Sequence, residues 1–184
     1  SMKKNLLKTL LVSCMTAVML AGCGVNADTT SNDNASEETI TVTDVRGEVE
    51  IPAEPQRIVD LSGNSDILSV LGYKVIGTAN SDAYDYTKFP SYLEETLSGA
   101  EILGYSMQDT MDVEAVMNLN PDLIVISTVQ EKMYDQLSEI APTVMIQLEA
   151  LNWKEDVRAL GKVFDKEDVA NEWIANYETK AKEA

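Results

Sequence analysis

Amide, hydroxyl and aromatic side chains gather in the segments that follow the short apolar runs of this sequence. Asn64 comes after the run that ends at Leu61, and Ser127 comes directly after the run 123–126. The candidate residues are Asn64, Tyr84, Tyr86, Tyr105, Ser106, Met107, Ser127 and Gln130. Amides and hydroxyls donate and accept hydrogen bonds, while tyrosine rings offer apolar faces to a ligand. This pattern predicts a surface that binds a small molecule.

The residues that most enzymes and transition-metal sites need are missing from the sequence. There is no histidine, which removes the commonest general base and the commonest transition-metal ligand. The sequence also has no G-x-S-x-G elbow, no G-x-G-x-x-G loop and no Walker glycine–lysine loop. We therefore expect no enzyme activity, no intrinsic cofactor, and no zinc or manganese site.

The first 23 residues have the layout of a bacterial lipoprotein signal. Lys3, Lys4 and Lys8 flank an apolar run, 10–20, that is too short to cross a bilayer, since crossing takes about 20 apolar residues. Cys23 follows Leu-Ala-Gly, which resembles the lipobox, where the cysteine is lipidated and becomes the new amino terminus. We expect the protein to be held on the extracytoplasmic face of a bacterial cell membrane through Cys23.

The charge of the chain favours neutral or cationic partners. The formal net charge is −17, and it becomes −20 without the signal, which carries three lysines and no acidic residue. Such a field repels nucleic acid, so no nucleic-acid partner is expected. Residues 24–38 are small, polar and acidic with little to bury, which predicts a flexible tether between the lipid and the folded lobe.

Residues 39–152 are predicted to form one α/β lobe. Alternation in 40–43 and 48–51 predicts a β-hairpin at its start. Strands are then predicted at 57–61, 75–79, 102–103, 123–126 and 143–146, and helices at 66–71, 89–97, 112–119 and 131–140. This alternation on short connections predicts a Rossmann-like parallel sheet with helices on both faces. Ligands of such sheets bind outside the carboxyl ends of the strands, so the candidate residues are expected to lie there.

The last part of the chain, 153–184, is predicted to be a helical linker. It divides into one helix over 154–164 and a second over 168–184. One predicted apolar stripe of the second helix consists of Val169, Trp173, Tyr177 and Ala181.

A series of short segments matches a known protein family in order and spacing. The segments are Thr41-Val42-Thr43-Asp44, Ile51-Pro52, Pro55-Gln56-Arg57-Ile58-Val59, Leu71-Gly72, Val75-Ile76-Gly77, Leu103-Gly104, Glu114-Ala115-Val116, Asn120-Pro121-Asp122-Leu123-Ile124-Val125 and Ile140-Ala141-Pro142-Thr143-Val144. Together they resemble the amino-terminal half of bacterial ABC-transporter substrate-binding lipoproteins for iron complexes, namely ferric siderophores, haem and cobalamin.

The resemblance implies half of a two-lobe protein. Members of the family hold the ligand in a cleft between two α/β lobes that a long helix joins. Residues 153–184 resemble the start of that linking region, and the second lobe is absent from the sequence. We expect this chain to supply one wall of the cleft, or alternatively to be a lobe that binds nothing by itself.

The chemistry of the predicted loops favours a ferric hydroxamate as the ligand. No lysine or arginine occurs in the four loops 62–66, 80–86, 104–111 and 127–131. A ferric tris-catecholate is strongly anionic and would need such cations. Haem stays open as a ligand, because Met107 resembles the methionine that haem-binding relatives use as an axial ligand. Cobalamin stays open because the family that the segments resemble also includes cobalamin-binding proteins.

Three acidic residues form a predicted docking region for the transporter. The resemblance implies that surface glutamates meet arginine pockets of an ABC permease. The residues concerned are Glu94, Glu95 and Glu101. The alternative is that they belong to a solvated helix face.

Overall fold

Five parallel strands form the central sheet of this computed structural model, which describes residues 38–80, 89, 94–148 and 152–184. The described residues contain seven strands, of which the last five form this sheet: β1 (Thr39–Asp44), β2 (Gly47–Pro52), β3 (Ile58–Asp60), β4 (Val75–Asn80), β5 (Glu101–Tyr105), β6 (Leu123–Ser127) and β7 (Thr143–Ile146). The helices are α1 (Ser65–Val70), α2 (Val113–Asn118), α3 (Tyr134–Ser138), α4 (Trp153–Val163) and α5 (Glu167–Glu183), and a 3₁₀ helix (Thr128–Met133) precedes α3. β1 and β2 form the predicted hairpin.

The order in which strands are added to the sheet reverses after β5, when the chain returns to place β6 beside β3. The strand order is β5-β4-β3-β6-β7, and each neighbouring pair is parallel. β3 and β6 lie side by side, with Ile58 opposite Leu123 and Asp60 opposite Val125. This order confirms the predicted Rossmann-like sheet. It also places the carboxyl ends of β3 and β6 at the switch point of the sheet, where a ligand crevice opens in such folds.

Both faces of the sheet are covered, as the continuous apolar run in β6 predicts. Leu123 and Val125 point into one core, which α1, α4, α5 and the hairpin share. Ile124 and Ile126 point into the other core, which includes Val116 of α2 and Leu137 of α3. Side chains of a strand alternate between faces, so β6 contributes to both cores, and all four of its apolar side chains are 0% exposed.

The hairpin closes the outer edge of the sheet at β7. The carboxylate of Asp44 accepts hydrogen bonds from the backbone N–H groups of Arg46 (2.7 Å) and Met145 (2.8 Å). The N–H of Val45 donates to the carbonyl of Met145 at 3.3 Å. The Arg46 guanidinium lies 3.7 Å from the centre of the Tyr134 ring. These contacts occupy polar groups of an edge strand that would otherwise be free to pair with another chain.

The buried stripe of α5 is offset by one residue from the prediction. Ala170 and Ile174 are buried in the core that α4 and the sheet share. Of the predicted stripe, Val169, Tyr177 and Ala181 are exposed and Trp173 is half-buried. The close approach of the two helices at Gly161 selects the buried face, because a Cβ atom there would lie 2.7 Å from the Cβ of Ala170.

An aromatic cluster covers the outer side of the same helix pair. Trp153 contacts Trp173 at 5.3 Å and Tyr177 at 4.6 Å between ring centres, both edge-on. Trp173 and Tyr177 stack at 5.7 Å. Two residues of the predicted stripe, Trp173 and Tyr177, therefore pack on each other and on Trp153 at the start of α4, and Trp173 also packs against the core.

Two predicted helices differ from the structure. Residues 94–99 form successive turns rather than the end of a helix over 89–97, and residues 90–93 lie outside the described part. The helix predicted at 131–140 is instead the 3₁₀ helix followed by α3. None of the helices in the described ranges is long and apolar enough to cross a bilayer.

Candidate functional site

The carboxyl edge of the sheet brings together segments that are distant in sequence. The segments after β3 and β6 adjoin at the switch point. Although β4 and β3 separate β5 from β6 in the sheet, the turn after β5 contacts the 3₁₀ helix after β6 directly. The segment 81–88 after β4, with Tyr84 and Tyr86, lies outside the described residues, as does Cys23.

A buried carboxylate shapes the segment after β3. Asp60 is 0% exposed and accepts four hydrogen bonds: from the Ser62 N–H (2.9 Å), the Ser62 hydroxyl (2.5 Å), the Asn64 N–H (3.0 Å) and the Ser65 hydroxyl (2.6 Å). The Ser65 and Thr78 hydroxyl oxygens lie 2.7 Å apart, which extends the network to β4. Burial raises the pKa of Asp60, and the hydrogen bonds from Ser62, Ser65 and Asn64 oppose that rise.

Asp60 supports the candidate site and is absent from the residues predicted from the sequence. A signal was present, since an acidic residue ends a short apolar strand whose other residues, Ile58 and Val59, are fully buried. A buried carboxylate is costly unless donors surround it, so its position indicates a purpose beyond packing. Here the purpose is to hold the segment Ser62–Asn64 in one conformation.

The side chain of Asn64 folds back on Ser62. Its side-chain amide nitrogen donates to the carbonyl and the hydroxyl of Ser62 at 3.2 and 3.1 Å. Within the described part of the chain, the carbonyl oxygen of the Asn64 side chain has no hydrogen bond. The residue is half-buried, so part of it is accessible to solvent.

The turn after β5 presents Met107 at its tip. The backbone N–H of Gln108 donates to the carbonyl of Tyr105, and the Tyr105 N–H donates to the Gln108 side-chain oxygen, both at 2.9 Å. The Ser106 N–H donates to the carbonyl of Asn80 at 2.8 Å. Ser106 is thus buried at 5% exposure, Tyr105 is half-buried, and Met107 is 61% exposed.

Gln130 lies beneath this turn rather than on the surface. Its side chain is 0% exposed, and its nitrogen donates to the carbonyls of Ser106 (2.6 Å) and Gln108 (3.0 Å). Its oxygen accepts from the N–H (3.0 Å) and the hydroxyl (3.2 Å) of Ser127. All four hydrogen-bonding positions of the amide are thus occupied in this structure, and the side chain lies beneath the surface on which a ligand contact was predicted. Ser127 itself is half-buried.

An ion pair joins the same two segments at the surface. The Lys132 ammonium lies 2.5 Å from the carboxylate of Asp109, and both side chains are more than half exposed. The hydrogen bond from Lys132 holds the pKa of Asp109 below its usual value. The sequence analysis missed this pair because Lys132 follows the predicted loop by one residue and its partner is distant in sequence.

The described part of this edge is an open wall. A small cleft runs along it between the segment after β3 and the end of β4, lined by residues that include Gly63, Ser65, Asp66, Thr78, Asn80 and Phe89. Among the described residues, no group of three or more acidic or cysteine side chains is arranged to hold a metal ion. The larger hollows of the described surface lie elsewhere, one of them beside Glu54, Gln56 and Asp122 at the opposite edge.

The three glutamates predicted to dock a permease are exposed. Glu94 and Glu95 lie in the turns before β5, and Glu101 is the first residue of that strand. Glu101 therefore stands at the opposite end of β5 from Tyr105.

A doubly wound parallel sheet with hydrogen-bonding groups at its carboxyl edge is the architecture of an α/β ligand-binding lobe. The chain belongs to the periplasmic binding protein family, whose model matches residues 62–184. The proteins and solved structures that it matches include siderophore-binding proteins. This confirms the family that the sequence segments predict.

Three similar proteins illustrate the match. The probable siderophore-binding lipoprotein YfiY of Bacillus subtilis is 34% identical over 180 residues, which is 96% of this chain and 54% of that protein. The iron(3+)-hydroxamate-binding protein FhuD of Bacillus subtilis is 34% identical over 164 residues, or 88% of this chain and 49% of that one. The crystal structure of Staphylococcus aureus SirA with staphyloferrin B superposes with a TM-score of 0.63 at 35% identity, covering 77% of this chain and 48% of SirA.

The chain spans about half the length of the relatives that it matches. The relatives are named for binding solutes rather than for catalysis, which agrees with the expectation that this protein is not an enzyme.

Proposed function

We propose that this protein is the lipid-anchored, extracytoplasmic binding component of an ABC importer, and that it captures a ferric siderophore of the hydroxamate type. The observation that carries the proposal is the carboxyl edge itself, where Asn64, Tyr105, Met107 and Ser127 lie on segments that buried polar side chains hold in place. Membership of the periplasmic binding protein family supports it. So do the siderophore-binding relatives, one of which is named for iron(3+)-hydroxamates.

The charge at this edge supports a hydroxamate over a catecholate. The described segments 62–66, 104–111 and 127–131 contain no lysine or arginine. Lys132, which follows directly, is paired with Asp109. A ferric tris-catecholate carries a large negative charge that these segments leave unmatched, whereas a ferric trihydroxamate is close to neutral.

A second candidate ligand, haem, is favoured by one observation. Met107 is 61% exposed at the tip of the turn after β5, where its thioether can reach an iron atom. A histidine on the other side of the haem would have to come from outside this chain, which contains none.

The transport partners follow from the same proposal. The exposed region around Glu94, Glu95 and Glu101 would contact an ABC permease, while the carboxyl edge holds the iron complex. The lipid on Cys23 would keep the protein at the outer face of the cell membrane.

The proposal predicts a preference between two iron complexes. Ferrioxamine B, a ferric trihydroxamate, should bind the 184-residue chain at least about tenfold more tightly than ferric enterobactin, a tris-catecholate. One wall buries less of a ligand than a closed cleft, so a Kd weaker than about 1 μM is expected for ferrioxamine B. Calorimetric titration measures both values.

A charge variant sharpens this comparison. Asp109→Asn leaves Lys132 unpaired, so it should improve the affinity for ferric enterobactin and reduce the preference for ferrioxamine B. Asp168→Asn removes the same charge from the exposed surface of α5 and should leave that preference unchanged. Tighter binding of ferric enterobactin by the unmodified chain, or no heat with either complex, would contradict the proposal. A Soret shift with haemin that Met107→Ala abolishes would favour the haem alternative.

A further inference from the structure

We propose that Gln130 is a positioning residue, which fixes the turn after β5 against the segment after β6 and thereby orients Tyr105 and Met107 toward the ligand. This inference rests on the proposed function, because it assigns a task to a side chain that cannot touch the ligand. It deepens that function by naming the residue on which the shape of the binding wall depends.

The geometry gives Gln130 control of both segments. Its two donors hold the carbonyls of Ser106 and Gln108, which are the residues on either side of Met107. Its acceptor oxygen takes the N–H and the hydroxyl of Ser127, the last residue of β6. One planar amide therefore links the turn that carries Met107 to the end of β6. The orientation of that amide sets the position of the turn after β5 relative to the segment after β6.

Other links between the two segments are weaker. The Lys132–Asp109 pair is exposed and screened by water, and such pairs contribute little. The Met111 N–H donates to the sulfur of Met133 at 3.2 Å, and a thioether is a poor acceptor. Gln130 makes four hydrogen bonds at 0% exposure, where unmade bonds are costly. We therefore expect the order of the turn to depend on Gln130.

The first test needs no ligand. In the chain labelled with carbon-13 at the methionine methyl groups, Gln130→Leu should shift or broaden the Met107 methyl resonance. Gln130→Glu keeps the shape of the side chain, removes its donors and should have the same effect. Gln136→Leu is the matched control, because Gln136 is exposed on α3, and it should leave that resonance in place. In the unmodified chain, the side-chain amide protons of Gln130 should exchange slowly with solvent, whatever the stability of the variants.

The second test is a double-mutant cycle on ferrioxamine B binding. Gln130→Leu should weaken binding about tenfold, in line with the loss of an ordered hydrogen-bond network. If Gln130 acts through the turn, Met107→Ala should weaken binding less in the Gln130→Leu variant than in the unmodified chain. Gln136→Leu should leave the Kd unchanged.

The outcomes separate this inference from the proposed function. A lower melting temperature for Gln130→Leu, with an unchanged Met107 resonance and an unchanged Kd, would show a structural role alone and overturn the inference. Fast exchange of the Gln130 amide protons would overturn it as well. If the unmodified chain binds no ferrioxamine B, the proposed function fails, while the methyl resonances still decide whether Gln130 orders the turn.

Discussion

Replacing Phe164 by alanine is expected to lower the free energy of unfolding by about 3–5 kcal/mol. Phe164 is 0% exposed and follows α4 directly, with its ring edge-on to Tyr73 at 5.6 Å between ring centres. It belongs to the same core as Leu68 of α1 and Val125 of β6. Urea unfolding followed by circular dichroism measures the loss.

The size of this effect decides whether the helix pair is part of the lobe. Val169→Ala on the exposed side of α5 is the matched control and should change the free energy by less than about 0.5 kcal/mol. If Phe164→Ala costs under about 1 kcal/mol, or if unfolding shows two separate steps, residues 153–184 behave as an independent linker. A single transition with a large loss would establish that α4 and α5 complete the core of the sheet.

Replacing Asp60 by alanine is expected to cost about 2–3 kcal/mol, because it leaves the N–H groups of Ser62 and Asn64 and the hydroxyl of Ser65 without their acceptor. The segment after β3 should lose its fixed shape, so binding of ferrioxamine B should weaken as well. Urea unfolding and calorimetric titration measure the two effects. Asp135→Ala, at an exposed position in α3, is the control for loss of an aspartate and should change neither. Equal stability of Asp60→Ala and the unmodified chain would contradict the role given to this carboxylate.

The pH dependence of the same variant has a definite sign. Burial raises the pKa of Asp60 above its ordinary value of 3.8, so folding favours the protonated carboxyl relative to the unfolded chain. The stability that this protonation contributes is fully present below pH 3.8 and is lost as the pH rises through the pKa of the folded state. The stability difference between the unmodified chain and Asp60→Ala should therefore be larger near pH 4 than near pH 7. A difference that grows with pH would show that the hydrogen bonds outweigh burial.

The α/β fold could be predicted from the sequence because its signals are local. The run Leu123–Ile126 is apolar at every position, which indicates a strand covered on both faces, and all four side chains are buried. Asp112 was expected to begin a helix, and its carboxylate accepts from the N–H groups of Glu114 and Ala115. The signals of a helix cap or of an alternating strand lie within a few neighbouring residues, so they can be recognised in the sequence.

The parts that escaped prediction depend on contacts between distant segments. The buried face of α5 follows from the close approach at Gly161, which helical periodicity alone does not show. The role of Gln130 depends on carbonyls more than 20 residues away, at Ser106 and Gln108. The sequence could therefore place Asn64, Tyr105 and Ser127 after or at the ends of strands, but it could not show that Gln130 is buried beneath the turn.

A nuclear magnetic resonance titration can show whether the iron complex binds at the carboxyl edge of the sheet. The nitrogen-15-labelled chain is titrated with the ferric and the gallium(III) complexes of desferrioxamine B, which share a shape but differ in paramagnetism. The account predicts that iron-specific broadening of amide resonances centres on residues 62–64, 105–108 and 127–128, and that residues 52–57 at the opposite edge keep sharp signals. Broadening centred on the opposite edge, or none with the ferric complex, would contradict it.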